Sequence, residues 1–570
     1  MPDEVTQKEA APDPGAPRIG VFVCHCGANI AGFVDIEAIE NHARALPNVA
    51  FTQRNLYTCS ETGLREIKTA IAAQKLNRVV VASCSPRTHE PLFRSACREA
   101  GLNPFLFEFV NIRDQCSWVH MQQREGATRK AKELIQMGVA RAALLEPQED
   151  ITVGVAGKAL IIGGGISGIT ATMSIARRGF QVILVEREKE LGGILKNVHK
   201  LYPTMGSAGD LIGKNIRAVQ KMPRVQVLTS ARLVEVSGFV GNYKVTIDSE
   251  GKRIEDTVGV IVVATGARLL TPEGLFQYNG RNIVTQGELE LLLKQGRLDA
   301  DSIVMIQCVG ARVPGREYCS RVCCMTAIKN AILIREAQPE TAVFVLYRDI
   351  QTYGTLYEED YRRARELGVS FIRYNLSKPP VVSSDKVIVH DELLGEDVPI
   401  PFDLLALATP LIPQAGFDEL SKALKVPVDE NGFFLEAHAK LRPVDFATDG
   451  IFLCGCARWP SDIGESVSQA LAAAARASIP LSQGHVKVEP IVSQVDQNRC
   501  IGCGLCETVC SYVGIHLTDT PKGKKAETIR ASCKGCGTCG ASCPQKAIRM
   551  SHFTDGQIEA QICALVGTDK

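Results

Sequence analysis

Residues 158–188 read KALIIGGGISGITATMSIARRGFQVILVERE, an apolar strand, a glycine turn, a helix and a second apolar strand that ends in an acid. The glycines fit the spacing G-x-G-x-x-G, in which glycine permits the tight turn, the close approach of the backbone to a pyrophosphate and helix–strand packing. The helix N-terminus faces the phosphates, and the acid is placed to hold ribose hydroxyls. The stretch therefore predicts a strand–turn–helix site for a dinucleotide. Its predicted contact residues are Gly163, Gly165, Ser167, Gly168 and Glu186.

Three later motifs predict that the dinucleotide is FAD. ELGGIL (190–195) follows at the spacing seen in two-dinucleotide-binding-domain flavoproteins, and VIVVATGA (260–267) resembles their second strand-turn. TDGIFLCGCA (448–457) resembles their last flavin motif, which normally ends in Gly-Asp; here Cys456 replaces the acid, so the contact to the ribityl chain must differ. A Rossmann domain for a nicotinamide nucleotide alone leaves these motifs unexplained. They add the predicted contacts Gly192, Gly193, Ala264, Thr265, Gly266 and Gly455.

The strongest metal signal lies near the C-terminus, where the run C-x2-C-x2-C-x3-C occurs at 500–510 and again at 533–543. The repeat resembles the bacterial two-cluster ferredoxin, in which the fourth cysteine of each run ligates the other cluster. Zinc and disulfide bonds are the weaker alternatives. The prediction is one [4Fe–4S] cluster on Cys500, Cys503, Cys506 and Cys543, and a second on Cys533, Cys536, Cys539 and Cys510.

A second glycine fingerprint, for NAD(P)H, is expected after the strand SIVMIQC (302–308) but is absent; the chain continues as VGARVPGREYCSRVCCMTAIK (309–329). A cysteine ends the strand and three more are predicted to open the next helix, where the helix dipole favours an anionic cluster. The i, i+4 spacing of Cys319 and Cys323 predicts that these two share a helix face. A redox dithiol or vicinal disulfide, or buried structural cysteines, are the alternatives. The prediction is a third [4Fe–4S] cluster beside the flavin, on Cys308, Cys319, Cys323 and Cys324.

Residues 18–146 alternate β-like runs with amphipathic stretches, which predicts four β-α units around a small parallel sheet. Five cysteines are expected at the carboxyl ends of its strands, the edge at which such sheets bind ligands. Cys116 and, less strongly, His25 are competing ligands, whereas Cys97 is expected in the core. The prediction is a fourth [4Fe–4S] cluster on Cys24, Cys26, Cys59 and Cys84.

Composition bounds the location and the partners. The net charge of +1, with 22% charged residues, does not indicate binding to nucleic acid or to a membrane surface. No apolar run approaches the roughly 18 residues that span a bilayer, and the acidic, proline-rich start is unlike a secretory signal. In a large chain without such a signal, 21 cysteines indicate metal or catalytic use in a reducing compartment, so a cytoplasmic protein is expected.

The expected fold class is multidomain α/β. It comprises an N-terminal parallel α/β domain, a thioredoxin-reductase-like two-dinucleotide-binding-domain FAD fold and an α+β two-[4Fe–4S] ferredoxin domain. The expected boundaries are a disordered tail at 1–17, the N-terminal iron–sulfur domain at 18–146, the FAD domain at 150–300 and 401–485, an inserted nicotinamide-domain-like subdomain that carries a cluster at 301–400, and the ferredoxin domain with a tail at 486–570.

Several longer motifs resemble the A subunit of heterodisulfide reductase over about residues 18–548. They are GVFVCHCGANIAG (20–32), ASCSPRTHEPLFR (82–94), NIRDQCSWVH (111–120), IQCVGAR (306–312), YCSRVCCMTAIK (318–329) and the double ferredoxin run. The resemblance implies an FAD that bifurcates electrons between a downhill acceptor and low-potential ferredoxin, and a cluster next to FAD on the cysteines from Cys308 to Cys324. It also implies heterodisulfide-reductase B/C-like subunits, a hydrogenase or dehydrogenase module, and a dimer of multi-subunit complexes.

Two other functions stay open at this point. One is an NAD(P)H-dependent flavin/iron–sulfur reductase without bifurcation, against which the missing second fingerprint argues. The other is a thiol–disulfide reductase that uses Cys323 and Cys324, for which only about eight irons, those of the ferredoxin repeat, are expected.

Overall fold

The computed structural model describes residues 15–567, so positions 1–14 of the predicted tail lie outside the described residues. The chain forms two compact units, one made of the residues up to Thr152 together with those from Lys487 onward, and the other of Val153–Val486. The N-terminal α/β part and the ferredoxin part therefore belong to one unit.

The N-terminal part is a four-stranded parallel sheet with helices on its faces. Its elements are β1 (Ile19–Cys24), α1 (Ile36–Arg44), β2 (Val49–Asn55), α2 (Glu61–Ala73), β3 (Arg78–Ser83), α3 (Pro86–Glu99), β4 (Phe107–Asn111) and α4 (Arg124–Ala143). The strand order is β2-β1-β3-β4. Every residue of β1 and β3 is buried, which explains their continuous apolar runs without alternation. Cys24 pairs with Asn55, and Ser83 with Asn111, so all four strands end at one edge.

The second unit begins and ends with the FAD-type domain. Its first elements are β5 (Ile151–Gly154), β6 (Lys158–Ile162), α5 (Ile166–Arg177), β7 (Gln181–Val185), β8 (Lys200–Leu201), β9 (Gly206–Ser207), α6 (Ala208–Gln220), β10 (Val225–Leu228), β11 (Ala231–Phe239), β12 (Asn242–Ser249), β13 (Lys252–Val258), β14 (Val260–Val263) and β15 (Ala267–Leu269). The chain then forms the inserted subdomain before it returns to this domain.

The inserted subdomain is built on a second parallel sheet. Its elements are β16 (Ile283–Thr285), α7 (Gln286–Gln295), β17 (Ser302–Ile306), α8 (Cys323–Ala337), β18 (Ala342–Tyr347), α9 (Tyr357–Glu366), β19 (Ser370–Arg373), β20 (Val381–Val382), β21 (Lys386–Asp391), β22 (Glu396–Pro401) and β23 (Leu404–Leu407). The strand order is β16-β23-β17-β18-β19. The subdomain thus exceeds the range 301–400 at both ends, because β16 and β23 complete its sheet from the flanking sequence.

The return to the FAD-type domain closes the first sheet of this unit. Its elements are β24 (Leu411–Pro413), α10 (Phe417–Leu424), β25 (Ile451–Leu453), α11 (Ile463–Gln483) and β26 (His485–Val488). The five-stranded parallel order is β10-β7-β6-β14-β25. The motifs around 158–168, 260–267 and 448–457 therefore supply three adjacent strands, although almost 300 residues of sequence separate the first from the last.

The C-terminal part joins the N-terminal part within the first unit. Its elements are β27 (Ser493–Val495), α12 (Leu505–Thr508), β28 (Ile515–Thr520), β29 (Gly523–Thr528), α13 (Thr538–Ala541), β30 (Ile548–Met550) and α14 (Asp555–Val566). Helix α14 packs on α4, where Gln136 Nε2 donates to the Ala564 oxygen at 2.8 Å. The buried Arg141 pairs with the Glu108 carboxylate, donates to the His552 carbonyl oxygen at 2.5 Å and lies 4.4 Å from the Phe553 ring centre.

His552 makes this junction sensitive to acid. Its side chain is buried, and its pKa is lowered to about 3, first by burial and then by the positive charges of Arg141 and Arg94. The unfolded chain, with an ordinary histidine pKa of about 6.5, therefore binds more protons between these two values, and stability falls as the pH drops through that window. Burial also raises the pKa of Glu108 to about 7, which acts in the opposite direction, so a variant is needed to isolate the histidine.

We predict that lowering the pH from about 7.5 to about 5 lowers the protection factors of the amides in α14 and β30, taken relative to the intrinsic exchange rate at each pH, and that His552→Gln reduces this effect. Hydrogen exchange read by mass spectrometry at both pH values measures it. The exposed His485 offers a matched control, because His485→Gln removes a histidine without changing the junction. Equal acid sensitivity in the two variants would contradict the assignment.

Candidate functional site

The turn between β6 and α5 leaves no room for side chains at two of the fingerprint glycines. Gly163 has φ +110°, and a Cβ there would stand 2.3 Å from the Ala264 oxygen. A Cβ on Gly168 would stand 1.8 Å from the Gly163 oxygen. Gly165, by contrast, has open space where its Cβ would point, at the N-terminus of α5. A chain such as a pyrophosphate can therefore approach the backbone at Gly165.

The other predicted FAD contacts gather around this turn. Gly192 donates its N–H to the Gly164 oxygen at 2.8 Å, and a Cβ on Gly193 would stand 3.2 Å from the Gly165 Cα. Glu186 follows β7, and its carboxylate accepts the Gly164 N–H at 2.7 Å and the Glu188 N–H at 2.9 Å. Because each oxygen keeps a free lone pair, the fixed carboxylate can still accept from ribose hydroxyls.

The last flavin motif contacts helix α5, the helix that follows the glycine turn. Gly455 has φ +67°, and a Cβ there would stand 2.2 Å from Ser167 Oγ. Its N–H donates to Gln469 Oε1 at 2.9 Å. Cys456, which stands in place of the usual acid, donates its thiol to the Ser461 oxygen at 3.3 Å and offers no carboxylate to a ribityl chain. Cys454 is buried, and burial raises its pKa to about 12, as expected for a core thiol.

Two buried oxygens beside these motifs lack partners in the described part of the chain. They are Oγ1 of Thr265, which lies between β14 and Gly266, and Oε2 of Glu465, in the first turn of α11. Both oxygens are able to bond to a polar group bound at this site. Together with the open face at Gly165, they fit a polar dinucleotide cofactor at this site.

The cysteines of 308–324 come together beside the second parallel sheet. Cys308 lies two residues beyond β17, while Cys323 and Cys324 open α8. Burial raises the pKa of Cys324, and the Cys308 and Cys319 thiols add to the rise, which brings it to about 12 and shows that these three thiols lie within electrostatic reach of one another. The sequence-based expectation that Cys319 shares a helix face with Cys323 is wrong. Arg321 adopts φ +65°, a left-handed conformation that cannot continue a helix, so Cys319 lies in the preceding loop.

Two cavities in the C-terminal part are lined by cysteines of both runs. The first is lined by Cys500, Cys503, Cys506 and Cys543 among others. The second is lined by Cys510, Cys533, Cys536 and Cys539 among others. The fourth cysteine of each run therefore faces the cavity of the other run, which is the exchange seen in two-cluster ferredoxins.

Backbone N–H groups donate to the sulfurs of these cysteines in a repeated pattern. The donors to the first cysteines of the two runs are Ala526, to Cys500 at 3.4 Å, and Ser493, to Cys533 at 3.4 Å. The donors to the fourth cysteines are Gly514, to Cys510 at 3.2 Å, and Ala547, to Cys543 at 3.3 Å. A neutral thiol sulfur is a weak acceptor, so this arrangement suits thiolates that bind a cluster.

The N-terminal cysteines lie at one edge of their sheet. Burial raises the pKa of Cys59, and the thiols of Cys24, Cys84 and Cys26 raise it further, so the four are near one another. Cys59 itself follows β2 by four residues and lies just before α2, rather than closing the strand. The Thr58 N–H donates to Cys24 Sγ at 3.4 Å.

Cys116 is turned away from these four. Its thiol donates to the Ala127 oxygen at 3.0 Å, and its side chain is fully buried in the core of the N-terminal part. Cys97 is likewise buried within α3, and burial raises its pKa to about 12. His25 lies next to Cys26, and its pKa is lowered, first by burial and then by Arg54.

Arginines near the cysteines are the residues that sequence reasoning missed. Burial and the neighbouring Cys24 and Cys84 thiols raise the pKa of Cys26, and the Arg113 guanidinium partly offsets the rise. Burial likewise raises the pKa of Cys308, and Arg312, which pairs with Asp349 at 2.6 Å, partly offsets it. The run ARVPGREYCSR (311–321), with an arginine at every fourth or fifth position between the cysteines, was the available signal.

All 21 cysteines lie in the described part of the chain, and all have free thiols. Among the same residues, no group of three or more histidine, cysteine or carboxylate side chains is close enough to hold a single metal ion. A cubane is larger than an ion and bonds each cysteine to a different iron, so the wider spacing is compatible with clusters. None of the helices in residues 15–567 has the length and apolarity to span a bilayer.

Comparison with known protein families agrees with this architecture. The pyridine nucleotide-disulphide oxidoreductase family matches residues 157–474, and the 4Fe-4S dicluster domain matches residues 493–550. The chain is thus an oxidoreductase with a flavoprotein domain and a 4Fe-4S dicluster domain, and its cofactors are FAD and [4Fe–4S] clusters. Among solved structures, thioredoxin reductase from Lactococcus lactis is 20% identical, with 58% of this chain and 99% of that chain covered and a TM-score of 0.41.

The relatives identify the family. The second iron–sulfur A subunit of the CoB--CoM heterodisulfide reductase of Methanopyrus kandleri is 39% identical, with 88% of this chain and 92% of the relative covered. The heterodisulfide reductase A-subunit-like protein of Archaeoglobus profundus is 34% identical, with 96% and 98% covered. The A subunit of the H(2):CoB-CoM heterodisulfide,ferredoxin reductase of Methanothermobacter thermautotrophicus is 38% identical, with 88% and 91% covered. The chain belongs to the family of heterodisulfide reductase A subunits.

We predict that Gly168→Ala lowers FAD affinity by at least about tenfold, or about 1.4 kcal/mol, because the added methyl group forces the turn open. Flavin absorbance per chain after dialysis, and titration of the deflavinated protein with FAD, measure the loss. Gly157→Ala is the matched control, since a Cβ there meets nothing within 4 Å. Normal FAD affinity in Gly168→Ala would show that the turn does not hold the pyrophosphate.

Proposed function

We propose that this chain is the electron-transferring FAD/iron–sulfur subunit of a heterodisulfide-reductase-like complex, and that it is the site of flavin-based electron bifurcation. The observation that carries the proposal is the convergence of Cys308, Cys319, Cys323 and Cys324 beside the second parallel sheet. Flavoproteins of this build bind a nicotinamide nucleotide at the corresponding strand end. A cluster in that place makes the partner of the flavin a one-electron carrier.

The cofactors divide the chemistry in this proposal. FAD exchanges two electrons with a donor, whereas each cluster takes one electron at a time. One electron would pass downhill to the disulfide-reducing partner and the other to low-potential ferredoxin. The name of the M. thermautotrophicus relative, which belongs to a heterodisulfide,ferredoxin reductase, supports ferredoxin as the second acceptor.

The residues of the chain position these groups. The open backbone at Gly165 and the fixed Glu186 carboxylate would hold the pyrophosphate and ribose of FAD. Backbone N–H groups would hold and tune the cluster thiolates, as at Cys500 and Cys533. The N-terminal cysteines Cys24, Cys26, Cys59 and Cys84 would bind a fourth cluster, and Cys116, which bonds to Ala127, would not be a ligand.

The proposed partners are heterodisulfide-reductase B/C-like subunits, a hydrogenase or dehydrogenase module and ferredoxin, in a dimer of multi-subunit complexes located in the cytoplasm. The names of the relatives place those proteins in heterodisulfide reductases, which supports the B/C-like partners. The proposal includes neither binding to nucleic acid nor a membrane span.

The structure disfavours a thiol–disulfide reductase that uses the adjacent cysteines. The Cys323 thiol donates to the Thr409 oxygen at 3.4 Å, whereas the Cys324 thiol donates to the Asp349 oxygen at 3.7 Å. Both thiols are free, and they bond to carbonyls of different segments instead of to each other.

Iron quantitation tests the cluster assignment. Anaerobically purified chain is expected to hold about sixteen irons and one FAD, that is, four irons for each of four clusters. Cys308→Ala is expected to lower the count to about twelve, because one cluster loses a ligand. Cys97→Ala is the control, since this cysteine is buried in a helix away from the sites. About eight irons in the unmodified chain would exclude both clusters outside the ferredoxin repeat.

Bifurcation is tested in the complex purified with its own partner subunits. With the two-electron donor present, ferredoxin reduction is expected only when the heterodisulfide is supplied as well. About one electron is then expected to reach ferredoxin for each electron that reaches the heterodisulfide. Ferredoxin reduction that proceeds equally without the heterodisulfide would contradict bifurcation and leave simple electron transfer.

A further inference from the structure

Arg321 joins the loop of the third predicted cluster to the segment that follows the last flavin motif. It lies between Cys319 and Cys323, and its backbone N–H donates to Cys319 Sγ at 3.3 Å. The residue makes this contact in a left-handed conformation, with φ +65°, which residues other than glycine seldom adopt. Such a conformation persists only where the surroundings hold it.

Three contacts of the Arg321 side chain stabilise this conformation. Nη2 donates to Glu465 Oε1 at 2.6 Å, Nη1 donates to the Pro460 oxygen at 3.4 Å, and the guanidinium lies 4.7 Å from the centre of the Tyr353 ring. A planar guanidinium suits such a combination of carboxylate pairing and stacking, which a lysine cannot reproduce.

The segment on the other side of these contacts belongs to the flavin site. Asp462 caps α11, where its side chain accepts the Glu465 N–H at 2.8 Å and the Tyr357 hydroxyl at 2.7 Å. This cap begins seven residues after Gly455, which packs on the phosphate-binding helix at Ser167. Arg321 therefore connects a predicted cluster ligand with the helix that continues the flavin motif.

We propose that Arg321 is a positioning residue that locks the cluster loop onto the start of α11. It holds its backbone N–H on Cys319 Sγ. That hydrogen bond stabilises the reduced, more negative cluster and so raises its reduction potential. The inference rests on the proposed cluster at Cys308, Cys319, Cys323 and Cys324, because Arg321 is proposed to set the reduction potential of that cluster.

The test compares Arg321→Gln, Arg321→Lys and Glu465→Gln in the full-length chain loaded with its cofactors. Iron content and the EPR spectrum of the unmodified chain first show whether the third cluster is present. EPR-monitored redox titration then gives the midpoint potential of that cluster, and stopped-flow spectroscopy gives the rate at which the reduced flavin passes electrons to it. Arg363→Gln is the matched control, because it removes an exposed arginine of α9 that pairs with Glu336 of α8.

Arg321→Gln is expected to keep its iron, to shift the potential downward and to slow the transfer about tenfold, the cost of losing a charge-assisted contact. Arg321→Lys is expected to leave both the potential and the rate low, because lysine returns the charge but not the paired and stacked contacts that hold the loop. Potentials and rates in Arg321→Gln equal to those of the unmodified chain would overturn the proposal.

If Arg321→Gln loses iron, Glu465→Gln decides, since it weakens the lock and leaves the cluster loop unaltered; its FAD content is measured first, because Glu465 also lies beside the FAD motifs. A slower transfer in Glu465→Gln with FAD retained then supports the proposal, and an unchanged rate overturns it. Absence of the third cluster from the unmodified chain overturns the proposed function at this site, and the inference with it. The two failures are distinguishable: a missing cluster shows as missing iron, whereas failure of the Arg321 inference alone shows as an unchanged potential and rate.

Discussion

Parallel strands end at a common edge, and this constraint organises each α/β domain of the chain. Hydrogen-bond register brings Cys24 and Ser83 to the same level in the N-terminal sheet, so that cysteines far apart in sequence meet there. The same constraint sets the glycine turn after β6 against the Ala264 carbonyl after β14. It also places Cys308 just beyond β17 and beside the start of α8. Groups that bind cofactors therefore lie on loops, while buried strands carry the stability.

In the proposed function, the two parallel sheets of the second unit use this edge for different groups. In the FAD-type sheet, glycines clear space so that the backbone can approach a pyrophosphate. In the inserted sheet, cysteines stand where a flavoprotein of this build has glycines. Both a pyrophosphate and a thiolate-ligated cluster are anionic, and a helix N-terminus favours either one. In the proposed function, a cluster on the cysteines of this loop takes the place of a two-electron nucleotide partner and serves as a one-electron carrier.

Local spacing was a reliable guide wherever the ligands are close in sequence, and it failed where the backbone leaves regular geometry. The ferredoxin runs needed no tertiary information, because the short spacing between their cysteines already defines a turn around a cubane. The helix-face argument for Cys319 failed because Arg321 takes a positive φ, and no local signal announced that conformation. For Cys116, the position after β4 suggested a ligand, but the thiol donates to the Ala127 oxygen in the core.

The sequence alone determined the fold class, FAD as the dinucleotide and the two-cluster repeat, because short-range spacing and glycine placement depend on local backbone geometry; the family followed from the resemblance of the longer motifs. The tertiary structure alone decided which thiols share an environment, that the C-terminal part joins the N-terminal part in one unit, and that Arg321 links a cluster loop to α11. These features arise from contacts between segments that lie far apart in sequence. Such contacts follow from packing and register across the whole sheet, which no local pattern encodes.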